Sequence, residues 1–321
     1  MRGPLLLVMS SPTITAARPK SIDPPDDLAA AQSELAKPGP HLQSIYTTRD
    51  KVRRWFTVYT PARRAVAPAL VFALHGAHGG MRNMYKTRAD LRKLADERGF
   101  VVVFPNGQHH PDHKIGQSFW NAGFCCGEMN PEIDDVAFIT DVAIRLTGVM
   151  KIDPDRIHIV GFSNGGMLTQ RIAAARADVF ASVASMGAVP GYFETAGGVK
   201  RAYPVKAAIP VLLLHGTEDK TIPFSGGTMT VADNDSAKSL FYAQALEHWS
   251  DANGCAASDV RQSRSDLGRD LQITSFTGCK ADVLGIALKG FGHKWVDVEK
   301  ADFNGTLRVT EFFETHPKKR K

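Results

Sequence analysis

The chain has 321 residues, of which 43% are hydrophobic and 22% charged, and its formal net charge is +6. This composition is typical of a soluble globular protein, and one α/β domain of this length is ordinary. Because the last four residues (318–321) supply four of the six net positive charges, the charge does not indicate a nucleic-acid partner.

The first 44 residues are predicted to lie outside the folded domain. Arg2 precedes an apolar run at 5–9 and small residues follow at 16–17, so residues 1–17 resemble the remnant of a secretory signal. Residues 18–44 are rich in Pro, Asp and Ala and predict a leader or linker. No stretch reaches the roughly 18–20 apolar residues that a membrane span needs. We therefore expect an extracellular protein without a membrane span.

Strand and helix patterns alternate through the rest of the chain. Strands are predicted at 53–60, 69–74, 100–104, 157–160, 180–186, 209–214, 270–276 and 283–288, and helices at 89–98, 134–150, 167–177, 236–253 and 305–316. Residues 108–132 and 187–208 are predicted to be irregular. The alternation predicts one α/β domain over 45–316, with a mostly parallel sheet covered by helices on both faces and a basic tail at 317–321.

A serine motif joins the predicted strand at 157–160 to the helix that follows it. Residues 161–165 read Gly-Phe-Ser-Asn-Gly, the G-x-S-x-G pattern of a nucleophile elbow. The glycines remove Cβ atoms where strand and helix cross closely, and the Ser163 hydroxyl is expected to stand above the sheet. The alternative is an ordinary βα turn. In a parallel sheet, the carboxyl ends of the strands form the edge where ligands bind.

An acid and a base follow Ser163 in the chain order that this turn requires. A serine hydroxyl needs a base within hydrogen-bond reach, usually a histidine oriented by a carboxylate. His293 lies in a glycine-rich turn after the last strand, and Asp219 follows the strand at 209–214. Glu218 is chemically able to replace Asp219, and the residue pattern alone does not separate the two carboxylates.

Two backbone donors are predicted to complete an oxyanion hole. The first is the N–H of Asn164, directly after the serine. The second is the N–H of Ala77, in the loop after the strand at 69–74, with His78 as its neighbour. The alternative for this loop is a plain turn at a strand end.

The four cysteines, at 125, 126, 255 and 279, lack the spacing of a zinc site. An even number beside an export signal favours disulfides, and Cys255 and Cys279 are placed to pair. The adjacent Cys125 and Cys126 are left open between a vicinal disulfide, outside partners and free thiols, and four reduced thiols are the remaining alternative. The histidines at 109, 110 and 113 predict a polar loop rather than a metal site.

The ordered set of motifs resembles the polyhydroxybutyrate depolymerase/feruloyl esterase family, the carbohydrate esterase 1-like α/β hydrolases. The resemblance covers about residues 45–315 and rests on Leu-His-Gly at 74–76, Trp-Asn-Ala-Gly with Cys-Cys-Gly at 120–127, Asp-Asp-Val at 134–136, the serine motif at 161–167, His-Gly-Thr-x-Asp at 215–219 with Ile-Pro at 222–223, and Gly-His-x-Trp at 292–295. It implies an α/β-hydrolase fold without a large lid domain, an extracellular serine esterase, Asp219 rather than Glu218 as the acid, and a disulfide in the Cys255–Cys279 region. Val296 departs from the family's usual Trp-Pro after the histidine.

The sequence gives fewer signals for the substrate than for the catalytic residues. A short segment at 187–208, where many lipases insert a lid, predicts an open site that suits an ester on a polymer or within a polyester. His78, Trp120 and Trp295 are predicted substrate contacts, with core packing as the alternative for Trp120. No cofactor and no metal are predicted, because a Ser-His-Asp triad needs neither. The alternatives to an esterase are a serine peptidase and a non-catalytic binding module, and the sequence does not predict the oligomeric state.

Overall fold

The computed structural model describes residues 33–35, 37, 41–49, 52–85, 91–109, 117–126, 133–193, 200–230, 238–264, 268–296 and 303–319. The predicted signal remnant at 1–17 lies outside these residues, as does most of the predicted leader. Within the part of the chain that the structure describes, no helix is both long enough and apolar enough to cross a membrane.

The described strands and helices alternate much as the sequence predicts. The strands are β1 (His41–Arg49), β2 (Val52–Thr60), β3 (Leu70–Leu74), β4 (Val101–Pro105), β5 (Gln108–His109), β6 (Ser118–Phe119), β7 (Ile157–Phe162), β8 (Ser182–Met186), β9 (Gly191–Phe193), β10 (Lys200–Ala202), β11 (Val211–Gly216), β12 (Gly227–Thr228), β13 (Lys238–Ser239), β14 (Ala257–Arg264), β15 (Asp270–Thr277) and β16 (Val283–Leu288). The helices are α1 (Met81–Asn83), α2 (Leu91–Arg98), α3 (Asp135–Met150), α4 (Asn164–Arg176), α5 (Tyr242–Ala252) and α6 (Gly305–Thr315).

A large sheet runs through the centre of the molecule, in the strand order β1-β2-β4-β3-β7-β8-β11-β16-β15-β14. The strands from β4 to β16 pair in parallel, and antiparallel strands extend the sheet at both edges. This arrangement confirms the predicted mostly parallel sheet. Strands β3, β4 and β7 are buried along their whole length, as expected where helices cover both faces.

Two hydrophobic cores lie on opposite faces of this sheet because successive side chains of a strand point to opposite sides. In β3, Leu70, Phe72 and Leu74 belong to the core that also contains buried residues of α3, α4 and α5. Val71 and Ala73 belong to the other core, with residues of α2 and α6. The loops predicted to carry the catalytic residues follow the parallel strands β3, β7, β11 and β16. They therefore leave the sheet at the same edge, formed by the carboxyl ends of these strands.

Several elements differ from the sequence-based expectation, among them the short strands β5, β6, β9 and β10, which lie in segments predicted to be irregular. Strand β1 begins at His41, four residues before the predicted domain boundary at 45, and pairs with β2 over nine residue pairs. Strand β14 was not predicted, since an edge strand with one sheet neighbour can keep the polar, mostly exposed sequence Ala-Ser-Asp-Val-Arg-Gln-Ser-Arg. Helix α5 begins at Tyr242, six residues later than expected, because residues 238–239 form the short strand β13.

One disulfide and a docked C-terminal segment join separate parts of the chain, and a second disulfide links two adjacent residues. Cys255, after α5, is bonded to Cys279, after β15. Cys125 is bonded to the adjacent Cys126, one of the alternatives that the sequence left open. Lys318 does not behave as a frayed tail residue: its backbone N–H donates to the Asp155 carbonyl (2.8 Å) and its ammonium to the Asp178 carbonyl (2.7 Å).

A buried ion pair ties β2 to the start of α3. The guanidinium of Arg54 and the carboxylate of Asp135 form a salt bridge, with side chains only 1% and 0% exposed. The same guanidinium lies 4.1 Å from the ring centroid of Phe138, and the second Asp135 oxygen accepts the Asn121 N–H at 2.6 Å. The neighbouring Asp134 has a different function, since its side chain caps α3 by accepting the Ala137 N–H.

We expect Asp135→Asn to lower the free energy of unfolding by about 3–5 kcal/mol, because it leaves a buried guanidinium without a counter-charge. Urea denaturation at pH 7 measures the loss. The matched control is Asp134→Asn, which keeps a capping oxygen and should change stability by less than about 0.5 kcal/mol. Equal losses in the two variants would show that the ion pair is not the cause.

Candidate active site

Ser163 stands in a strained turn between β7 and α4. Its backbone angles are φ 54° and ψ −124°, in the left-handed half of conformational space that non-glycine residues rarely adopt. Such a conformation costs about 1–3 kcal/mol and persists only where its surroundings impose it. Here the Ser163 N–H donates to the Met186 carbonyl and the Ser163 carbonyl accepts the Met167 N–H, both at 2.9 Å.

Two glycines of the serine motif permit a very close approach of backbones. A Cβ atom at Gly161 would lie 2.2 Å from the Gly165 carbonyl oxygen. A Cβ atom at Gly165 would lie 2.3 Å from the carbonyl oxygen of His75. Both positions therefore exclude any side chain, for the packing reason that the sequence indicated.

The structure brings Ser163, His293 and Asp219 together at the carboxyl edge of the sheet. His293 Nε2 lies 2.9 Å from Ser163 Oγ, and its Nδ1 lies 2.6 Å from Asp219 Oδ2. An ionised carboxylate only accepts hydrogen bonds, so Nδ1 carries the imidazole proton and Nε2 presents its lone pair to the serine hydroxyl. This arrangement is able to take the proton of Ser163 as its oxygen attacks an electrophile.

The Asp219 carboxylate is enclosed by hydrogen-bond donors. Oδ1 accepts the backbone N–H groups of Thr221 (2.9 Å) and Ile222 (2.8 Å), and His215 Nε2 lies 3.3 Å from Oδ2. Burial alone would raise the pKa of Asp219, but hydrogen bonds and electrostatic attraction from His215 and His293 hold it below its usual value. Glu218 is exposed, so of the two candidate acids the structure brings Asp219 to the imidazole.

A pocket of about 360 Å³ opens beside Ser163 and His293. Its wall combines the apolar side chains of Met84 and Phe162 with polar residues, among them Asn83, Thr221 and Thr230. The described residues that line it include no Asp, Glu, Lys or Arg. The described wall therefore offers both apolar and hydrogen-bonding surface to a bound group.

The loop after β3 forms another wall of the pocket and is held by the buried His75. Ala77 and His78 both line the pocket, and His78 has a positive φ of 57°. His75 Nε2 accepts the Gly107 N–H at 2.9 Å, so its Nδ1 carries the proton and donates to the Gly76 carbonyl at 2.8 Å. Burial lowers the pKa of His75 to about 4, which keeps this imidazole neutral near pH 7.

Trp120 and Trp295 were predicted as substrate contacts, and neither is among the described residues that line the pocket. Trp120 is fully buried, and its indole N–H donates to the His75 carbonyl at 2.8 Å. The side chain of Asn164 makes two hydrogen bonds to the backbone of Trp120. Trp295 is 2% exposed and donates to the Thr306 hydroxyl at 3.0 Å. Both indoles need a partner for a buried N–H, and they find it inside the protein.

The remaining residues that the sequence singled out lie at the following positions in the structure. Asn164 is the first residue of α4 and is buried, and His78 is on the pocket wall. His109 is exposed, with Nδ1 3.0 Å from the Gln117 carbonyl oxygen. His110 and His113 lie outside the described residues. Among the residues that are described, no group of three or more His, Cys, Asp and Glu side chains is placed to hold a metal ion.

Sequence reasoning missed several residues of the site, including Asn83 and Met84 on the pocket wall. Phe162 is the variable second position of the serine motif, and its ring centroid lies 4.8 Å from that of His293. His215 was quoted only as part of a motif, although its distance of four residues from Asp219 is a usable signal. Thr221 and Thr230 carried no signal beyond lying after the acid, and the Thr230 N–H donates to the Thr221 carbonyl at 3.0 Å.

Comparison with known proteins gives a family and several relatives. The profile of the family described as Phospholipase/Carboxylesterase matches residues 62–239. The chain is 29% identical to "Putative esterase NocK" of Nocardia uniformis subsp. tsuyamanensis over 239 residues, covering 70% of this chain and 65% of that protein. It is 27% identical to "Feruloyl esterase B" of Piromyces equi over 218 residues, covering 67% of this chain and 37% of that protein. The chain thus spans less than two thirds of the length of either relative.

Among solved structures, an acetyl xylan esterase from Aspergillus awamori superposes with a TM-score of 0.58. The alignment covers 85% of this chain and 99% of that chain, at 15% sequence identity. Likeness at this level of identity establishes the fold and leaves substrate and activity to other observations.

Proposed function

The chain belongs to the phospholipase/carboxylesterase family of α/β hydrolases, and on that premise we propose that it is a serine esterase acting on carboxylic esters. In this proposal Ser163 is the nucleophile, His293 the general base and acid, and Asp219 the residue that orients the imidazole. The observation that carries it is the hydrogen-bonded series Ser163 Oγ, His293 Nε2, His293 Nδ1 and Asp219 Oδ2, with separations of 2.9 and 2.6 Å, beside an open pocket.

The proposed reaction proceeds through an acyl-enzyme. Ser163 Oγ bonds to the ester carbonyl carbon while His293 Nε2 takes the hydroxyl proton, and the carbonyl oxygen becomes an oxyanion. The imidazolium gives that proton to the departing alcohol as the ester C–O bond breaks. A water then attacks the acyl-enzyme, losing a proton to His293, which returns it to Ser163 as the acid leaves.

Two backbone N–H groups are proposed to stabilise the oxyanion. Asn164 is the first residue of α4, where N–H groups lack acceptors within the helix and the helix dipole favours negative charge. Ala77 lies on the pocket wall, in the loop that His75 and Trp120 hold by hydrogen bonds. Donors fixed before the reaction are effective because they need no reorganisation as charge develops.

The proposed substrates are neutral esters displayed on a polymer or within a polyester, with feruloyl and acetyl-xylan esters as the first class. A pocket of about 360 Å³ beside Ser163, whose described lining includes no Asp, Glu, Lys or Arg, supports this choice, and so does similarity to a protein named feruloyl esterase B. We further propose that the protein is exported. The apolar run at 5–9 and the two disulfides support this, since disulfides persist mainly in oxidising environments.

A panel of matched substrates tests the proposal. The purified protein is assayed with methyl ferulate, the corresponding ferulic amide, acetylated xylan and short polyhydroxyalkanoate oligomers. We expect hydrolysis of at least one ester, with kcat/KM at least about 100-fold above that of the amide. Preference for the amide would instead indicate a peptidase. Absence of ester hydrolysis, in protein whose Ser163 does not react with a fluorophosphonate, would contradict the proposed function.

A further inference from the structure

His215, on β11, lies against the carboxylate of Asp219 without touching the pocket. Its side chain is fully buried, and Nε2 lies 2.8 Å from the Ile222 carbonyl oxygen and 3.3 Å from Asp219 Oδ2. A carbonyl oxygen only accepts hydrogen bonds, so Nε2 carries the proton of this imidazole. This N–H therefore donates to the Ile222 carbonyl, and Asp219 Oδ2, at 3.3 Å, lies within the range of its electrostatic attraction.

The other ring nitrogen shows that His215 is a neutral donor of fixed orientation. Nδ1 is buried and has no hydrogen-bond partner among the described residues. The rings of Phe224 and Tyr242 stand edge-on to the imidazole, with centroids 5.8 and 5.6 Å away. A second proton on Nδ1 would place an unpaired N–H among these rings, so the ring is held in one tautomer.

Hydrogen bonds join His215, Asp219 and Ile222 in a closed arrangement. Ile222 donates its N–H to Asp219 Oδ1 and accepts with its carbonyl from His215. The intervening Thr221 donates to the same Oδ1 and lines the pocket. The turn that carries the carboxylate is therefore fastened to β11 by the His215 imidazole and by the Asp219 backbone N–H, which donates to the Gly216 carbonyl at 3.2 Å.

We propose that His215 is a positioning residue for the triad, holding Asp219 ionised and its Oδ2 aimed at His293. This inference rests on the proposed function, because it gives His215 a role only through Asp219. The titratable groups that face the carboxylate are His215 and His293, while the Tyr242 hydroxyl donates elsewhere, to the Leu213 carbonyl at 2.9 Å. Removing the Nε2–H donor should therefore affect catalysis through Asp219.

Two substitutions of His215 separate donation from packing. His215→Leu fills the site without a donor, whereas His215→Gln keeps an amide N–H at about the distance of Nε2. We expect His215→Leu to lower kcat about 10–100-fold, the effect of one hydrogen bond to a charged group, with KM within about threefold. The acidic limb of kcat/KM reports protonation of the coupled His293–Asp219 pair, and it should move to higher pH because a pair whose carboxylate has fewer donors binds a proton more tightly. His215→Gln should restore most of kcat and the original limb.

Tyr242→Phe is the matched control, since it keeps the ring against the imidazole and removes no donor from Asp219. It should leave the pH profile unchanged even if its thermal stability falls. An unshifted acidic limb in His215→Leu, or an equal shift in Tyr242→Phe, would overturn the proposal. If His215→Leu does not fold, His215→Asn replaces it, because its shorter amide does not reach the Nε2 position. Every variant is also titrated with a fluorophosphonate at Ser163. A variant whose Ser163 still reacts but whose acidic limb is unshifted contradicts this proposal alone, whereas a wild type whose Ser163 does not react contradicts the proposed function.

Discussion

Ser163→Ala is expected to abolish both ester hydrolysis and labelling by a fluorophosphonate. Loss of a serine nucleophile of this kind lowers kcat by about 10⁶-fold, because no other group takes over the covalent step. The Ser163 hydroxyl is the one that meets the unprotonated Nε2 of His293, at 2.9 Å. Active-site titration of the wild type, followed by the same titration and steady-state kinetics of the variant, measures the effect.

A second serine–histidine pair provides the control. Ser182 Oγ lies 2.8 Å from His158 Nδ1, and both residues are buried. Ser182 is the first residue of β8, at the opposite end of the strands from Ser163, and its hydroxyl does not line the pocket. Ser182→Ala should therefore keep full labelling, even if it loses stability. Labelling of Ser163→Ala at the wild-type stoichiometry would contradict the assignment of the nucleophile.

The fold was accessible from sequence because its central strands are chemically distinctive. Continuous apolar runs such as 101–104 predict strands covered on both faces, and their alternation with helical patterns predicts a parallel sheet. The α/β-hydrolase fold and the resemblance to feruloyl esterases are confirmed by the family match and the relatives. The edge strand β14 escaped prediction because pairing on one side demands no apolar pattern.

Part of the candidate site could be predicted from the sequence. Ser163, Asp219 and His293 each follow a strand, so the topology of a parallel sheet places them at one edge before any coordinates are known. The order of strands and loops in the sequence does not determine the direction in which a loop side chain points. Trp120 was therefore assigned to the substrate, although its indole N–H bonds inside the protein. The four-residue distance between His215 and Asp219 could have marked His215 as a neighbour of the acid, whereas the orientation of its imidazole depends on the Ile222 carbonyl and is not contained in the sequence pattern.

Asp219→Asn is expected to lower kcat by about 10⁴-fold while leaving the fold intact. An amide can donate a proton toward Nδ1 of His293, which favours the tautomer with its proton on Nε2. That tautomer presents an N–H to Ser163 and is unable to accept the hydroxyl proton. Steady-state kinetics with an ester substrate measures the loss, and KM should change far less than kcat because the Asp219 side chain is not on the pocket wall.

The same variant carries a stability prediction with a defined sign. The pKa of Asp219 lies below its usual value in the folded protein, so its ionised form contributes stability at pH values above about 3.9, the ordinary pKa of the side chain. That contribution is lost as the pH falls toward the lower, folded-state pKa. The stability difference between wild type and Asp219→Asn, from urea denaturation, should therefore be larger at pH 6 than at pH 3.

Glu218→Gln is the control that decides between the two neighbouring carboxylates. Glu218 is exposed, and the contact of 2.6 Å with His293 Nδ1 belongs to Asp219. Because an exposed carboxylate outside this contact does not select the imidazole tautomer, Glu218→Gln should keep kcat within about twofold of the wild type. A large loss in Glu218→Gln together with an active Asp219→Asn would assign the acid to Glu218. Losses of equal size in both variants would mean that the turn, rather than one carboxylate, had been disrupted.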